Sequence, residues 1–178
     1  PVSVTATATD PGPDTLMYFF DFNNDGIFEL SQASPSATHI YPDNGSFSVR
    51  VQVKDDDGGE SSVVTTMVQV NNVPPTISVL GDTTVDEGKT FTLNISASDV
   101  GVLDVVTLAA SGLPPGASFS QTSGNPATGT LSWTPAYTQA GSYLGMTITA
   151  TDDDNGTSSQ SLTLIVNEKG QPVVAVTN

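Results

Sequence analysis

The sequence predicts an all-β protein built as two tandem β-sandwich domains, and three observations carry that reading. First, apolar and polar residues alternate along the chain. Val49, Val51 and Val53 run into one turn, and Val64, Met67 or Val68, and Val70 leave it. Period-two alternation through a Gly-bearing turn is the pattern of a β-hairpin with one buried face. Second, the hairpin returns: Asp55, Asp56, Asp57, Gly59, Ser61 and Ser62 recur as Asp152, Asp153, Asp154, Gly156, Ser158 and Ser159. Third, nowhere is helical periodicity sustained over three or four turns.

A chain of 178 residues with this period divides into two domains of roughly 75 to 95 residues each. Domains of that size bury only about 60% of their unfolded surface and usually need disulfides, metal or neighbours. Cysteine is absent, which removes the first option. Nineteen acidic residues stand against four basic ones, for a net charge of −15. That field repels phosphates, so nucleic acid and anionic membranes are poor partners. The acidity reads either as solubility or as cation binding, and the clustering of Asp in loops favours the cation. No apolar run approaches the roughly 18 residues of a membrane helix, so no membrane insertion is expected. A composition rich in Ser, Thr, Val, Gly and Asp and poor in Lys points to a secreted or cell-surface protein of bacterial or archaeal type, the bacterial source being preferred.

The elements follow in order. Residues 2–9 (VSVTATAT) alternate strictly and read as a strand, and the turn Asp10 to Asp14 follows. Residues 15–22 (TLMYFFDF) carry Tyr18, Phe20 and Phe22 on one face and Met17 and Phe19 on the other, as a strand covered on both sides would. The loop at Asn23–Gly26 leads into Ile27–Leu30, and a polar bridge spans Ser31–Ala37. His39, Ile40 and Tyr41 precede a turn at Pro42–Gly45 and the strand Phe47–Val53. Asn71, Asn72, Val73, Pro74 and Pro75 read as a short, semi-rigid joint. Beyond it lie a strand at Thr76–Leu80, turns at Gly81–Asp82 and Asp86–Gly88, and a strand at Phe91–Ser98 that aligns Asp99 with Asp10. Strands at Val105–Ala109, around Phe119, at Thr128–Trp133 and from Gly141 to Ala150 complete the second domain, with a turn at Leu113–Gly116. Trp133, the sole tryptophan, suits a core position, and a sugar platform is the alternative.

These residues carry a family resemblance. His39, Ile40, Tyr41, Gly45, Phe47, Val49, Val51, Val53 and Asp55, with the earlier Tyr18, Phe20, Asp21 and Phe22, resemble the signature of the polycystic-kidney-disease (PKD) domain, which commonly has Trp at the position of Phe20. Leu113 to Gly116, Gly129 to Pro135, and Gly141 to Tyr143 running into Ala150, Asp152, Asn155 and Gly156 are similar to a bacterial putative-Ig or dystroglycan-type cadherin-like module. The resemblance implies two immunoglobulin-like, Greek-key sandwiches: residues 1–72, in which the first strand is missing, and residues 73–170. Tyr41 is placed like the tyrosine corner of such folds. Residues 172–178 (PVVAVTN) repeat the pattern of the strand after Pro75, so residues 171–178 read as the start of a following repeat. That tail is expected to pack across an open sheet edge of its own or a neighbouring molecule, or to stay disordered.

The strongest local motif is Asp21, Asn23, Asp25, Gly26 and Glu29, which copies the first half of an EF-hand loop: oxygen ligands at positions 1, 3 and 5 and Gly at 6. Position 12 is Gln32 rather than Glu, so a complete EF-hand is excluded. Asn-Asp-Gly is also ordinary hairpin chemistry. A second set comes from topology, which puts the loops at Asp99 and at Asp152 to Asp154 at one end, facing the preceding domain. Cadherins place calcium at such junctions, and the resemblance implies Ca2+ held by Asn71, Asn72, Asp99 and Asp152, with Asp154 beside them. Facing carboxylates repel unless a hard cation takes their oxygens, although solvated Asp-Gly turns are the plain alternative. Asp10 and Asp55–Asp57 would form the matching half-site of the first domain. No catalytic set emerges: His39 is the single histidine, and zinc lacks cysteine and histidine ligands. The function expected is a non-catalytic, calcium-stiffened structural or adhesive spacer whose partners are neighbouring repeats, with a polysaccharide or cell-surface partner beyond them. A carbohydrate-binding accessory module of a secreted polysaccharide-degrading enzyme, stacking sugars on Tyr18, Tyr137, Tyr143 or an exposed Phe, is the alternative.

Overall fold

A computed structural model describes residues 1–78 and 81–170. The chain forms two compact units, Pro1–Asn72 and Val73–Asn178. Every element among the described residues is a strand. The expected pairing of the tail 172–178 lies outside the described residues, as do the last two residues of the expected strand Thr76–Leu80.

In the first unit a two-stranded sheet of β1 (Val2–Thr5) and β4 (Ser36–His39) faces a four-stranded sheet. That sheet contains β2 (Met17–Asp21), β3 (Leu30–Gln32), β5 (Gly45–Lys54) and β6 (Val64–Val70) in the order β3-β2-β5-β6. Tyr18, Phe20, Val49 and Val51 point inward from the larger sheet, against Val4 and Ala37 from the smaller one. The reverse face of β2 is partly covered. Phe28 meets Phe19 edge-on with centroids 5.9 Å apart, and the Lys54 ammonium sits over the Phe19 ring.

Three expectations need correction here. The stretch read as a polar bridge, Ser31–Ala37, contains most of β3 and the first half of β4. Their strand character comes from backbone pairing with β2 and β1, and only Ala37 of β4 is buried. The strand expected over residues 2–9 pairs only through Thr5, after which the Ala6 amide bonds Pro35 and the chain turns irregular. In the acidic hairpin Phe47 pairs with Val68 and Gly45 with Val70, so Met67 lies on the outer face opposite Ser48. Val64, although opposite Val51, is 64% exposed at the sheet margin.

The second unit is a sandwich of two four-stranded sheets. One contains β7 (Thr76–Ile77), β9 (Phe91–Ser98), β11 (Ser118–Thr122) and β12 (Ala127–Trp133) in the order β11-β12-β9-β7. The other contains β8 (Thr83–Asp86), β10 (Thr107–Ser111), β13 (Gly141–Thr151) and β14 (Thr157–Asn167) in the order β10-β13-β14-β8. Non-sequential neighbours in both sheets make this a Greek-key arrangement. The chain changes sheets between β7 and β8, and β8 then runs parallel to β14. Strand β8 falls between two expected turns. Its four residues carry one apolar side chain, Val85, too little to signal a strand in isolation.

Ile95, Ala97, Leu131 and Trp133 meet Met146, Ile148, Ala150, Leu162, Leu164 and Val166 between the sheets. Each large side chain buried there contributes about 1.5–3 kcal/mol. Trp133 is a core residue, 3% exposed; its indole N–H donates to the Pro115 carbonyl at 3.2 Å and its ring meets Tyr143 edge-on. The Leu113–Gly116 turn therefore caps the tryptophan. The Tyr143 hydroxyl donates to the Gln139 carbonyl four residues upstream, which is the tyrosine-corner geometry. Tyr41 does something different: its hydroxyl reaches the carbonyl of Phe22, nineteen residues away.

Candidate metal centres

Both units build a group of three carboxylates from corresponding loops. In the second unit, oxygens of Asp99, Asp104 and Asp152 lie within 4.8 Å of one another. Asp99 follows β9 directly, and Asn125 pins its loop: the Asn125 Oδ1 accepts from the Asp99 amide, while Nδ2 donates to the carbonyls of Asp99 and Gly101. The Gly101 amide donates to Asp99 Oδ1 at 2.9 Å, folding the chain so that Asp104 returns toward Asp99. Asp152 enters from the β13–β14 turn and accepts the Gly156 amide at 2.7 Å. Asp104 and Asp152 are both 4% exposed. The Oδ2 of Asp99 is buried and receives no hydrogen bond. Asp154, exposed, brings an oxygen within 4.8 Å of one on Asp104.

The first unit repeats the design with Asp10, Asp14 and Asp55, again within 4.8 Å. Asp55 accepts the Gly59 amide at 2.6 Å, as Asp152 accepts that of Gly156, and Asp10 accepts the Gly12 amide at 2.7 Å. All three are half-buried. Desolvation, followed by the adjoining Asp10 carboxyl and the charges of Asp56 and Asp55, pushes the Asp14 carboxyl above its ordinary value. Sequence reasoning paired Asp10 with Asp99 and Asp55 with Asp152, but missed Asp14 and Asp104. Neither belongs to the triple-Asp motif. The available signal was their short spacing from an aligned residue, four positions after Asp10 and five after Asp99.

The EF-hand-like half-loop forms a further group in the first unit. Asp21, Asp25 and Glu29 offer oxygens within 4.8 Å of one another. Asp21 ends β2, and the loop closes back on it through the Gly26 amide, which donates to Asp21 Oδ2 at 3.0 Å. That closure needs left-handed backbone at Asn24 (φ 59°) and Gly26 (φ 94°), which Gly adopts without a Cβ penalty. Asn23 and Asp25 hold each other: the Asn23 Oδ1 accepts the Asp25 amide and the Asp25 Oδ1 accepts that of Ile27. Glu29 folds back to accept the Phe22 amide at 2.8 Å. Asp21 is wholly buried; its Oδ1 has no hydrogen-bond partner, while Arg50 lies 3.3 Å from its Oδ2. Gln32 turns away, donating to the carbonyls of Ser34 and Ser36.

Asn71, exposed, and Asn72, half-buried, are the last residues of the first unit. Clusters of hard carboxylate oxygens, with orphaned buried acceptors at Asp21 and Asp99, match the donor set of a calcium ion. His39 is stacked on Phe22 at 4.4 Å and meets Tyr41 edge-on, as part of an aromatic row that ends at Phe47. Burial and then the charge of Glu29 hold the Tyr41 hydroxyl above its ordinary range, so it stays a donor. Of the candidate sugar platforms, Tyr18 is 7% exposed and Tyr143 packs on Trp133, whereas Tyr137 is 44% exposed.

The profile of the family described as "Putative Ig domain" matches residues 74–167. The chain belongs to that family. Its first unit is a PKD domain, matched over residues 1–68, so the two modules stand in the order that the sequence predicts. No curated protein matches the sequence. Among solved structures, an endo-fucoidan hydrolase from glycoside hydrolase family 107 is similar at 20% identity and TM-score 0.46 over 88% of this chain. The chain spans 24% of that enzyme's length. PcdhgB3 EC1-4 is similar at 19% identity and TM-score 0.48, over 86% of this chain and 41% of the other. Drosophila N-cadherin EC1-3 is similar at 19% identity and TM-score 0.38, over 93% and 60% respectively. PKD and Ig-like domains together support an extracellular structural or adhesive module.

Proposed function

We propose that this chain is a non-catalytic spacer in a secreted or cell-surface repeat protein, stiffened by calcium in its loops. One observation carries the reading: each unit gathers three carboxylates from the same two loops. In the second unit two of the three are buried. Buried like charges within 4.8 Å are costly without compensation, and a hard divalent cation with six to eight oxygen ligands supplies it. The carboxylates sit in Asp-Gly turns, and the single histidine is held in an aromatic stack. These features support a scaffold over an active site. Calcium would draw separate loops together at one end of each sandwich and reduce their motion.

The test is a calorimetric titration of chelator-treated protein, paired with melting curves. Extracellular calcium modules bind at about 10⁻⁴–10⁻³ M. A site at a hundredfold excess over its dissociation constant adds about 2.7 kcal/mol. Melting should rise by several degrees in calcium over chelator; coincident curves and no heat of binding would remove calcium from the account.

A further inference from the structure

We propose that Arg50 is a built-in competitor that sets the calcium affinity of the Asp21–Asp25–Glu29 half-loop. Asp21 and Arg50 are direct cross-strand partners on β2 and β5 and point to the same outer face. Their side chains meet at 3.3 Å between Arg50 Nη1 and Asp21 Oδ2, where the Gly26 amide also donates. The two oxygens of this wholly buried carboxylate are thus used unequally. Oδ2 is occupied by the loop amide and the guanidinium, whereas Oδ1 is left without a hydrogen bond. A buried carboxylate oxygen with no donor carries a large desolvation cost, and this one belongs to the group that Asp25 and Glu29 complete.

The charge of the set favours a divalent ion. Three carboxylates less one guanidinium leave two negative charges, which a doubly charged cation neutralises. Asp21 would bridge the two cations, holding Arg50 through Oδ2 and the metal through Oδ1. The guanidinium, always protonated, repels that metal permanently and keeps binding weak. At a separation of about 6 Å in a water-like dielectric, this repulsion weakens a doubly charged ion by about tenfold. Arg50 therefore shifts filling of the Asp21–Asp25–Glu29 half-loop to higher calcium than the three carboxylates alone would need.

The inference rests on the calcium reading of the half-loop, and the experiment separates the two. The Gly26 amide resonance of the full chain is followed during calcium titration for wild type, Arg50→Gln and Arg50→Lys. The expected result is a midpoint about tenfold lower for Arg50→Gln, and one within about threefold of wild type for Arg50→Lys, which keeps the charge. Arg50→Met, retaining the aliphatic stem, replaces the Gln variant if the latter lacks a dispersed amide spectrum. Equal midpoints for wild type and Arg50→Gln, or a Lys variant that behaves like the Gln variant, would overturn the role of Arg50 and leave the site standing. A Gly26 resonance unmoved by calcium in wild type and Arg50→Gln alike would overturn both.

Discussion

Neutralising Asp104 should stabilise the second unit in chelator and sharply reduce its gain from calcium. Asp104→Asn keeps the shape of the side chain and removes one charge from the group with Asp99 and Asp152, whose oxygens lie within 4.8 Å. A pair of unit charges at that distance repels by about 3.5 kcal/mol at an effective dielectric constant of 20, and by about 0.9 kcal/mol in bulk water. Asp104 and Asp152 are buried and Asp99 is half-buried, so the site sits between those limits. Allowing for altered hydrogen bonding and for screening at Asp99, the relief is on the order of 1–3 kcal/mol. In calcium the wild type should gain about 2.7 kcal/mol at hundredfold excess, and the variant, short of one carboxylate, should gain much less. Trp133 is the sole tryptophan and lies in this unit's core, so urea unfolding followed by its fluorescence reports the second unit directly. A variant less stable than wild type in chelator, with an unchanged calcium increment, would refute both the repulsion and the ligand role.

Other perturbations test the fold and the first unit. Asp14→Asn should raise first-unit stability near neutral pH. The folded unit holds the Asp14 proton above the ordinary 3.8, so the wild-type carboxyl favours folding in acid and that contribution is lost as pH rises through the raised value. Amide exchange should show the variant's advantage fading toward about pH 3; an advantage independent of pH would refute the assignment. Gly129→Ala would place a Cβ 2.8 Å from the Phe119 ring and 3.2 Å from Leu108. It should cost about 1–3 kcal/mol by overpacking, read from the Trp133 unfolding midpoint. Phe20→Ala, which empties a fully buried ring position, should cost about 3–5 kcal/mol. It should collapse first-unit amide protection while leaving the Trp133 transition in place.

The all-β class and the repeat were legible because valines alternate on β5 and because the Asp-Gly turn appears twice. The short strands were not. Ser36–His39 buries only Ala37, Thr83–Asp86 buries no side chain fully, and both owe their conformation to partners far along the chain. No local pattern encodes that. The grouping of Asp21, Asp25 and Glu29 could be read because their spacing is a property of one turn. Asp104 and Asp14 left only a faint spacing signal, since each meets its partners through the way loops converge at one end of a sandwich. Arg50 was invisible for a similar reason: only the register of β2 on β5 sets it opposite Asp21.

The parallel pairing of β8 with β14 has a mechanical meaning. These strands lie near the start and the end of the second unit, and their ladder registers Leu164 with Thr83 through to Asn167 with Asp86. Tension drawing the two ends of the unit apart pulls β8 and β14 in opposite directions along their own length. The evenly spaced hydrogen bonds between them are then loaded in shear and share the force. An antiparallel pair gripped at its open end would instead unzip one bond at a time. A spacer held under flow would resist extension through this one strand pair, and β8, the strand hardest to see in the sequence, would be its mechanical latch.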